Sequence, residues 1–171
     1  MDTTVTVATI DDIPQLLHLI NSAYRGEEAK KGWTHEADLI EGPIRTDEIS
    51  LQELIGKPDA IFLKYAQHNV ITGCVYLEKR INRLYLGMLS VSPETQAKGI
   101  GKKLLRAAEV FAKQNECAII EMTVISIRRN LIDWYERNGY CQSGRTEPFP
   151  SDGKFGKPRQ NLEFVFLEKK V

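Results

Sequence analysis

The chain offers little to a metal or a disulfide framework. Its three cysteines, Cys74, Cys117 and Cys141, and its three histidines, His18, His35 and His68, are scattered singly along 171 residues. Zinc sites and disulfide scaffolds need clustered spacing, so the cysteines read as reduced structural thiols and no metal is expected. An excess of one charge is missing too, with 23 Lys and Arg against 23 Asp and Glu. Nucleic-acid binders driven by bulk electrostatics usually carry a basic excess, so nucleic acid is not an expected partner. No stretch approaches the roughly 18 apolar residues that span a bilayer, and the first five residues lack a basic region leading into an apolar block. The expectation is a cytoplasmic protein that does not enter a membrane. With 42% hydrophobic and 27% charged residues, collagen-like, coiled-coil and disordered classes drop out. At roughly 150 residues per domain, the length predicts a single domain over 1–171.

What is present is an alternation of two periods. Thr4 to Ala8 alternates as a strand, and Asp11 reads as the cap of a helix carrying Ile13, Leu16, Leu17 and Ile20 on one face. Residues 24–46, with three glycines and a proline, predict a long irregular or broken-helix segment. A helix from Asp47 to Ile55 stops at Gly56. Ala60 to Ala66, Val70 to Leu77 and Arg83 to Val91 predict a three-stranded meander, its first turn at His68-Asn69. An amphipathic helix over 99–115, a strand from Ala118 to Val124, and a helix from Arg128 to Asn138 closed by Gly139 follow. Tyr140 to Arg145 and Asn161 to Leu167 read as strands flanking a loop over 146–160. The unit from Arg83 to Val124 predicts a parallel crossover, and every other pairing can be antiparallel. The fold class is therefore α/β of the mixed α+β kind.

The most informative residues are Gln96-Ala97-Lys98-Gly99-Ile100-Gly101, between a strand and an amphipathic helix. Free backbone N–H groups and the positive end of the helix dipole converge there, and glycine lets a ligand approach the backbone. Such a turn suits a pyrophosphate. Two familiar phosphate loops fit poorly: Lys103 stands where the Walker pattern needs Ser or Thr, and Leu104 where the dinucleotide fingerprint needs glycine.

At these residues the chain resembles the GNAT superfamily of acyl-CoA-dependent N-acyltransferases, whose motif Gln/Arg-x-x-Gly-x-Gly/Ala lies between the fourth strand and third helix. Leu89-Ser90-Val91-Ser92-Pro93 before the motif, and Trp134-Tyr135-Glu136-Arg137-Asn138-Gly139-Tyr140 after it, carry the likeness over nearly the whole chain. The resemblance implies a central mixed, mostly antiparallel sheet of about seven strands with helices on both faces. It implies an N-acetyltransferase that moves an acetyl group from acetyl-CoA to an amine by direct attack in a ternary complex. The alternative is a non-catalytic acyl-CoA-binding module or sensor of the same fold. Coenzyme A is the implied co-substrate and an amine-bearing small molecule or peptide the implied partner, with a homodimer left open.

The resemblance also distributes roles. Leu89, Ser90 and Val91 would line the pantetheine arm, with the Leu89 N–H facing the thioester oxygen. Gln96, Ala97, Lys98, Gly99, Ile100, Gly101 and Lys102 would cradle the phosphates. Tyr135 matches the usual general acid. Arg128 stands where many members have a cofactor-contacting asparagine, and Asn130 follows two residues later. Tyr85 occupies the usual position of the base, either relaying a proton through water or lining the pocket. Glu121 is the nearest carboxylate alternative, its other reading being a solvent-facing strand end. Tyr24, Glu27 and Trp33 lead the acceptor-side candidates, with Glu28, Glu36 and Arg45 beside them and Phe149, Lys154, Phe155 and Arg159 in the later loop. Residues 23–50 hold seven acidic and four basic side chains, an excess that would welcome a cationic acceptor.

Overall fold

The structure, a computed structural model, describes residues 4–96, 98–150, 152–154 and 156–171, and the backbone alone of Glu27. Ala97 and Phe155, two of the site candidates, lie outside the described residues, as does the side chain of Glu27.

Seven strands form the main sheet: β1 (Val5–Val7), β3 (Ala60–Gln67), β4 (Val70–Arg80), β5 (Arg83–Val91), β6 (Ile119–Ile125), β7 (Cys141–Pro148) and β9 (Glu163–Lys170). Their order is β1-β3-β4-β5-β6-β9-β7, and the single parallel pair is β5 with β6, joined through helix α4 (Ile100–Gln114). The mixed, mostly antiparallel sheet is thus as the sequence implies. The 146–160 segment is less bare than expected: β7 runs on to Pro148, and β8 (Lys157–Pro158) pairs with β2 (Ile40–Glu41).

Alternation along the strands sorts side chains onto two covered faces. Phe62, Cys74 and Tyr76 pack under α1 (Ile13–Tyr24) and α3 (Glu48–Ile55) with Leu16, Ile20 and Leu51. Leu63, Val75, Leu84 and Met122 pack under α4 and α5 (Arg129–Arg137) with Leu104, Leu105 and Ile132. Burial on both faces explains why the central strands read as nearly continuous apolar runs. A short helix, α2 (Gly26–Ala29), opens the irregular segment after α1.

The entry to α1 differs from expectation. Ile10–Asp12 form a single 3₁₀ turn capped by Thr9, and Asp12, not Asp11, stands at the N-cap of α1. Asp12 lies three residues after Thr9 and its Oδ2 accepts the Thr9 N–H at 2.8 Å, closing a capping box that Asp11 cannot form.

Two irregularities of β5 shape the site. Its parallel pairing with β6 covers only Arg83–Tyr85 against Ile119–Glu121, although β5 continues to Val91 and β6 to Ile125. The strands part beyond Tyr85 and leave a wedge. On the β4 side the register jumps from Tyr76↔Gly87 to Cys74↔Ser90, so that Met88 and Leu89 together oppose Val75 alone. This bulge puts Met88 at φ +50°, a left-handed conformation that a non-glycine residue adopts at a cost.

Candidate active site

Two cavities open on the wedge. One, of about 610 Å³, is lined by the start of α4 together with Val91, Trp33 and Trp134. The N–H groups of Ile100, Gly101 and Lys102 lie in the first turn of α4, where no helical acceptor exists for them. Gly99, at φ +77°, makes the left-handed entry to the helix. Gly101 meets a different constraint: a Cβ there would stand 3.2 Å from the Trp134 ring, tighter than ordinary contact. Any side chain at 101 would therefore press on the indole at the cleft wall.

Gln96 contributes more than its place in the motif suggests. Its Oε1 accepts the Trp33 N–H at 3.0 Å, and its Nε2 donates to Thr34 Oγ1 at 2.9 Å and to the Val91 carbonyl at 3.3 Å. The side chain ties the irregular segment after α2 to the end of β5. Trp33 consequently stands over the glycine turn, 6.2 Å from Trp134 ring to ring, and lines that cleft and not the cavity opposite. Asn130 and Lys102 line the same cleft, while Lys98 is exposed beside it. Ser90 is buried, its hydroxyl donating to the Met88 carbonyl at 3.0 Å across the bulge.

The second cavity, of about 580 Å³, has aromatic and charged walls that include Tyr85, Tyr76, Phe164, Arg45, Glu78 and Arg128. Tyr24, Leu89, Leu131 and Tyr135 line both cavities, so the two meet at these residues. Tyr135 is 5% exposed, wedged edge-on between Trp134 and Tyr140, and among the described residues its hydroxyl makes no hydrogen bond. Burial, with Tyr24 and Tyr140 beside it, holds that hydroxyl well above the usual tyrosine range and therefore protonated. Tyr24 donates its hydroxyl to the Leu89 carbonyl, and burial together with Glu36 pushes its pKa up to about 12. That contact fixes the bulge from the α1 side.

The charges are mostly paired. Glu36 accepts from Arg25 Nε at 3.1 Å and faces Arg128 at 3.6 Å, and Arg128 also donates to the Thr34 carbonyl at 2.5 Å. Arg128 thus lines the aromatic cavity and holds the 34–36 segment, while Asn130 takes the glycine-turn side. Glu78 accepts from the Tyr76 hydroxyl and pairs with Lys57 at 3.1 Å and Arg80 at 3.5 Å; the Tyr76 bond and these cations hold its carboxyl below the usual range. The guanidinium of Arg80 also covers the Tyr85 ring, 4.3 Å from its centroid. Glu121 is buried, lines neither cavity, and lies among Arg80, Arg83 and Arg145 at 3.7, 3.3 and 2.8 Å. It is neither solvent-facing nor turned into the wedge. Among the described residues of 23–50, Tyr24, Glu36 and Arg45 line the aromatic cavity, one acidic side chain against one basic. Of the later-loop candidates, Arg159 lines an open groove away from the wedge, while Phe149 lines both that groove and a smaller cavity with Glu36 and Arg45, its ring 5.2 Å from that of Phe164. Among the described residues no group of three or more His, Cys, Asp or Glu could hold a metal, and no helix is long and apolar enough to cross a membrane.

The Arg25–Glu36–Arg128 cluster and the Gln96 ties were not anticipated from the sequence. Their partners are far apart in the chain and no spacing rule joins them. The one available signal was Arg128 itself, standing where an uncharged amide was expected.

A split parallel strand pair with a phosphate-type turn on one side and a polar cavity on the other is a transferase scaffold. The chain belongs to the acetyltransferase (GNAT) family, whose model matches residues 14–140. No protein of curated function matches it by sequence. Among solved structures it is similar to the PaiA N-acetyltransferase of Thermoplasma acidophilum in complex with coenzyme A, with 21% identity, all of both chains covered and a TM-score of 0.73. The ribosomal-protein-alanine N-acetyltransferase of Brucella melitensis is similar at 17% identity, covering 98% of this chain and 99% of its own, with a TM-score of 0.72. An N-acetyltransferase of Staphylococcus aureus Mu50 is similar at 15% identity over 99% of both chains, with a TM-score of 0.72. At these identities the likeness is one of fold.

Proposed function

We propose that the protein is an acetyl-CoA-dependent N-acetyltransferase in which an amine attacks the thioester directly while both substrates are bound. The observation that carries this reading is the meeting of the two cavities at Leu89 and Tyr135. A ligand whose phosphates sit on the open N–H groups of α4 can send its arm through the wedge to that junction, and an amine can reach the same point from the other side. The coenzyme A complex of the Thermoplasma protein, which shares the fold, supports coenzyme A as that ligand. With no Cβ at Gly99 or Gly101, the backbone of the turn stays open to such a ligand.

The thioester supplies an activated acetyl group. The amine's lone pair forms the C–N bond, the C–S bond breaks, and its electron pair departs on sulfur. The Leu89 N–H, turned by the bulge, faces the negative charge that gathers on the carbonyl oxygen. Tyr135 O–H donates a proton to the departing sulfur. Its raised pKa does not defeat this, because the same burial that disfavours tyrosinate also disfavours a thiolate beside it. Tyr85, on the wall of the aromatic cavity, passes the amine's surplus proton to water. Glu121, ringed by three guanidiniums and lining neither cavity, is assigned to holding the β5, β6 and β7 ends together. The test is free thiol release from acetyl-CoA across a panel of amines. Amine-dependent release is expected; coenzyme A binding without release for any amine would return the chain to the sensor reading.

A further inference from the structure

The aromatic cavity holds one cation that the rest of the protein does not use. Glu36 is taken by Arg25 and Arg128, and Glu78 by Lys57 and Arg80. Arg45 lines the same cavity, and among the described residues its guanidinium has neither an ion pair nor a hydrogen bond. Asp152 shares a smaller cavity with Arg45, but it accepts the Lys154 N–H at 3.2 Å and is not ion-paired to Arg45.

Arg45 is also rooted with unusual firmness for a residue outside regular structure. Its N–H and that of Thr46 donate to Asn21 Oδ1 at 2.6 and 3.0 Å, and Asn21 Nδ2 donates to the Thr46 carbonyl at 3.1 Å. The carbonyl of Ile44 accepts from Arg25 at 3.1 Å. Three consecutive residues are stapled to the end of α1, while the side chain of the middle one is half-buried and unpaired. Among the described residues around that end of the cavity three guanidiniums, Arg25, Arg45 and Arg128, stand against two carboxylates, Glu36 and Asp152, which leaves one positive charge in excess. Arg45 is near enough to Tyr24, at the junction of the cavities, for its charge to favour the ionised form of that hydroxyl.

A guanidinium that has lost part of its hydration without gaining a partner is costly unless a ligand supplies one. Its planar fork matches a carboxylate, with two parallel hydrogen bonds. We infer that Arg45 selects the acceptor by binding a carboxylate carried close to its amine, so that the substrate class is amino-acid-like and not polyamine or aminoglycoside. The inference rests on the proposed acetyl transfer. Glu147, on the β7 wall of the same cavity and likewise without an ion pair, offers the matching attraction for the ammonium of such a zwitterion.

The experiment compares α-amino acids with their decarboxylated amines as acceptors, following thiol release from acetyl-CoA. The wild-type protein is expected to favour the amino acid in kcat/KM by about tenfold or more, the scale of a charge-assisted hydrogen-bonded pair. Arg45→Met should bring the ratio towards one, chiefly by raising KM for the amino acid. Arg45→Lys, which keeps the charge but not the fork, should retain part of the preference. Coenzyme A binding, read by quenching of Trp33 and Trp134, should persist in both variants and so report that they fold. A wild-type protein that uses the decarboxylated amine as well as the amino acid overturns the inference whatever the variants do. So does a preference that survives Arg45→Met, or thiol release with polyamines alone, and in those cases acetyl transfer itself stands. No release with any amine overturns both.

Discussion

Among the described residues the Tyr135 hydroxyl makes no hydrogen bond, so it is free to serve a substrate while the ring and backbone serve the fold. Tyr135→Phe removes one O–H and leaves both ring contacts. Melting temperature and coenzyme A affinity should hardly change, while kcat falls by about 10²–10⁴-fold, the usual cost of losing a general acid. Retention of near-wild-type kcat on a verified acceptor would remove Tyr135 from the role. The position of this residue was legible in the sequence because the segment from Trp134 to Tyr140 is local: a helix end, a glycine and an aromatic in fixed order. Trp33 was harder to place. Its location over the glycine turn depends on Gln96 and on Trp134, neither of which any local pattern connects to it.

Among the elements, helices and strands were legible wherever one periodicity persisted. Helix α3 begins after Asp47, whose side chain accepts the Ser50 N–H at 2.7 Å, and β5 spans Arg83–Val91, both as the pattern predicts. The bulge at Met88 and Leu89 was not legible, since no glycine announces its positive φ and the deformation comes from pairing with β4. The start of α1 shows the same limit, two adjacent aspartates being equivalent in pattern while only Asp12 reaches back to Thr9. Asp12 also pairs with Lys64 of β3 at 2.7 Å, pinning α1 to the sheet. Burial tends to raise its pKa, but the Lys64 and Thr9 hydrogen bonds outweigh it and the net shift is downward. A depressed pKa contributes stability above the unfolded value of about 3.9, and that contribution is lost as pH falls through the folded value. Asp12→Asn should therefore cost about 1 kcal/mol at neutral pH, read as a fall of roughly 2–4 °C in Tm. The difference from wild type should shrink as pH drops below about 4; a constant difference down to pH 3 would show that the charge is not what matters.

At the scale of the whole molecule, the sheet's single parallel pair is also the place where it splits, and both cavities open on that split. Helix α4 brings its open N–H groups to one side, and the 33–36 segment, held by Gln96 from one cavity and by Arg128 from the other, walls the junction. Element order and the glycine turn were enough to foresee the first side. The second depends on buried charge pairs between residues far apart in the chain, such as Arg25 with Glu36 and Glu36 with Arg128, and only the folded chain brings them together. The claim that follows from the whole arrangement is that two substrates occupy the wedge together and react without the protein carrying the acetyl group. Initial rates measured with acetyl-CoA and an acceptor both varied test this most directly. Intersecting double-reciprocal lines, with no acetylated protein detected by mass spectrometry in acetyl-CoA alone, are the result expected. Parallel lines accompanied by an acetylated chain that passes its acetyl group to the amine would contradict it.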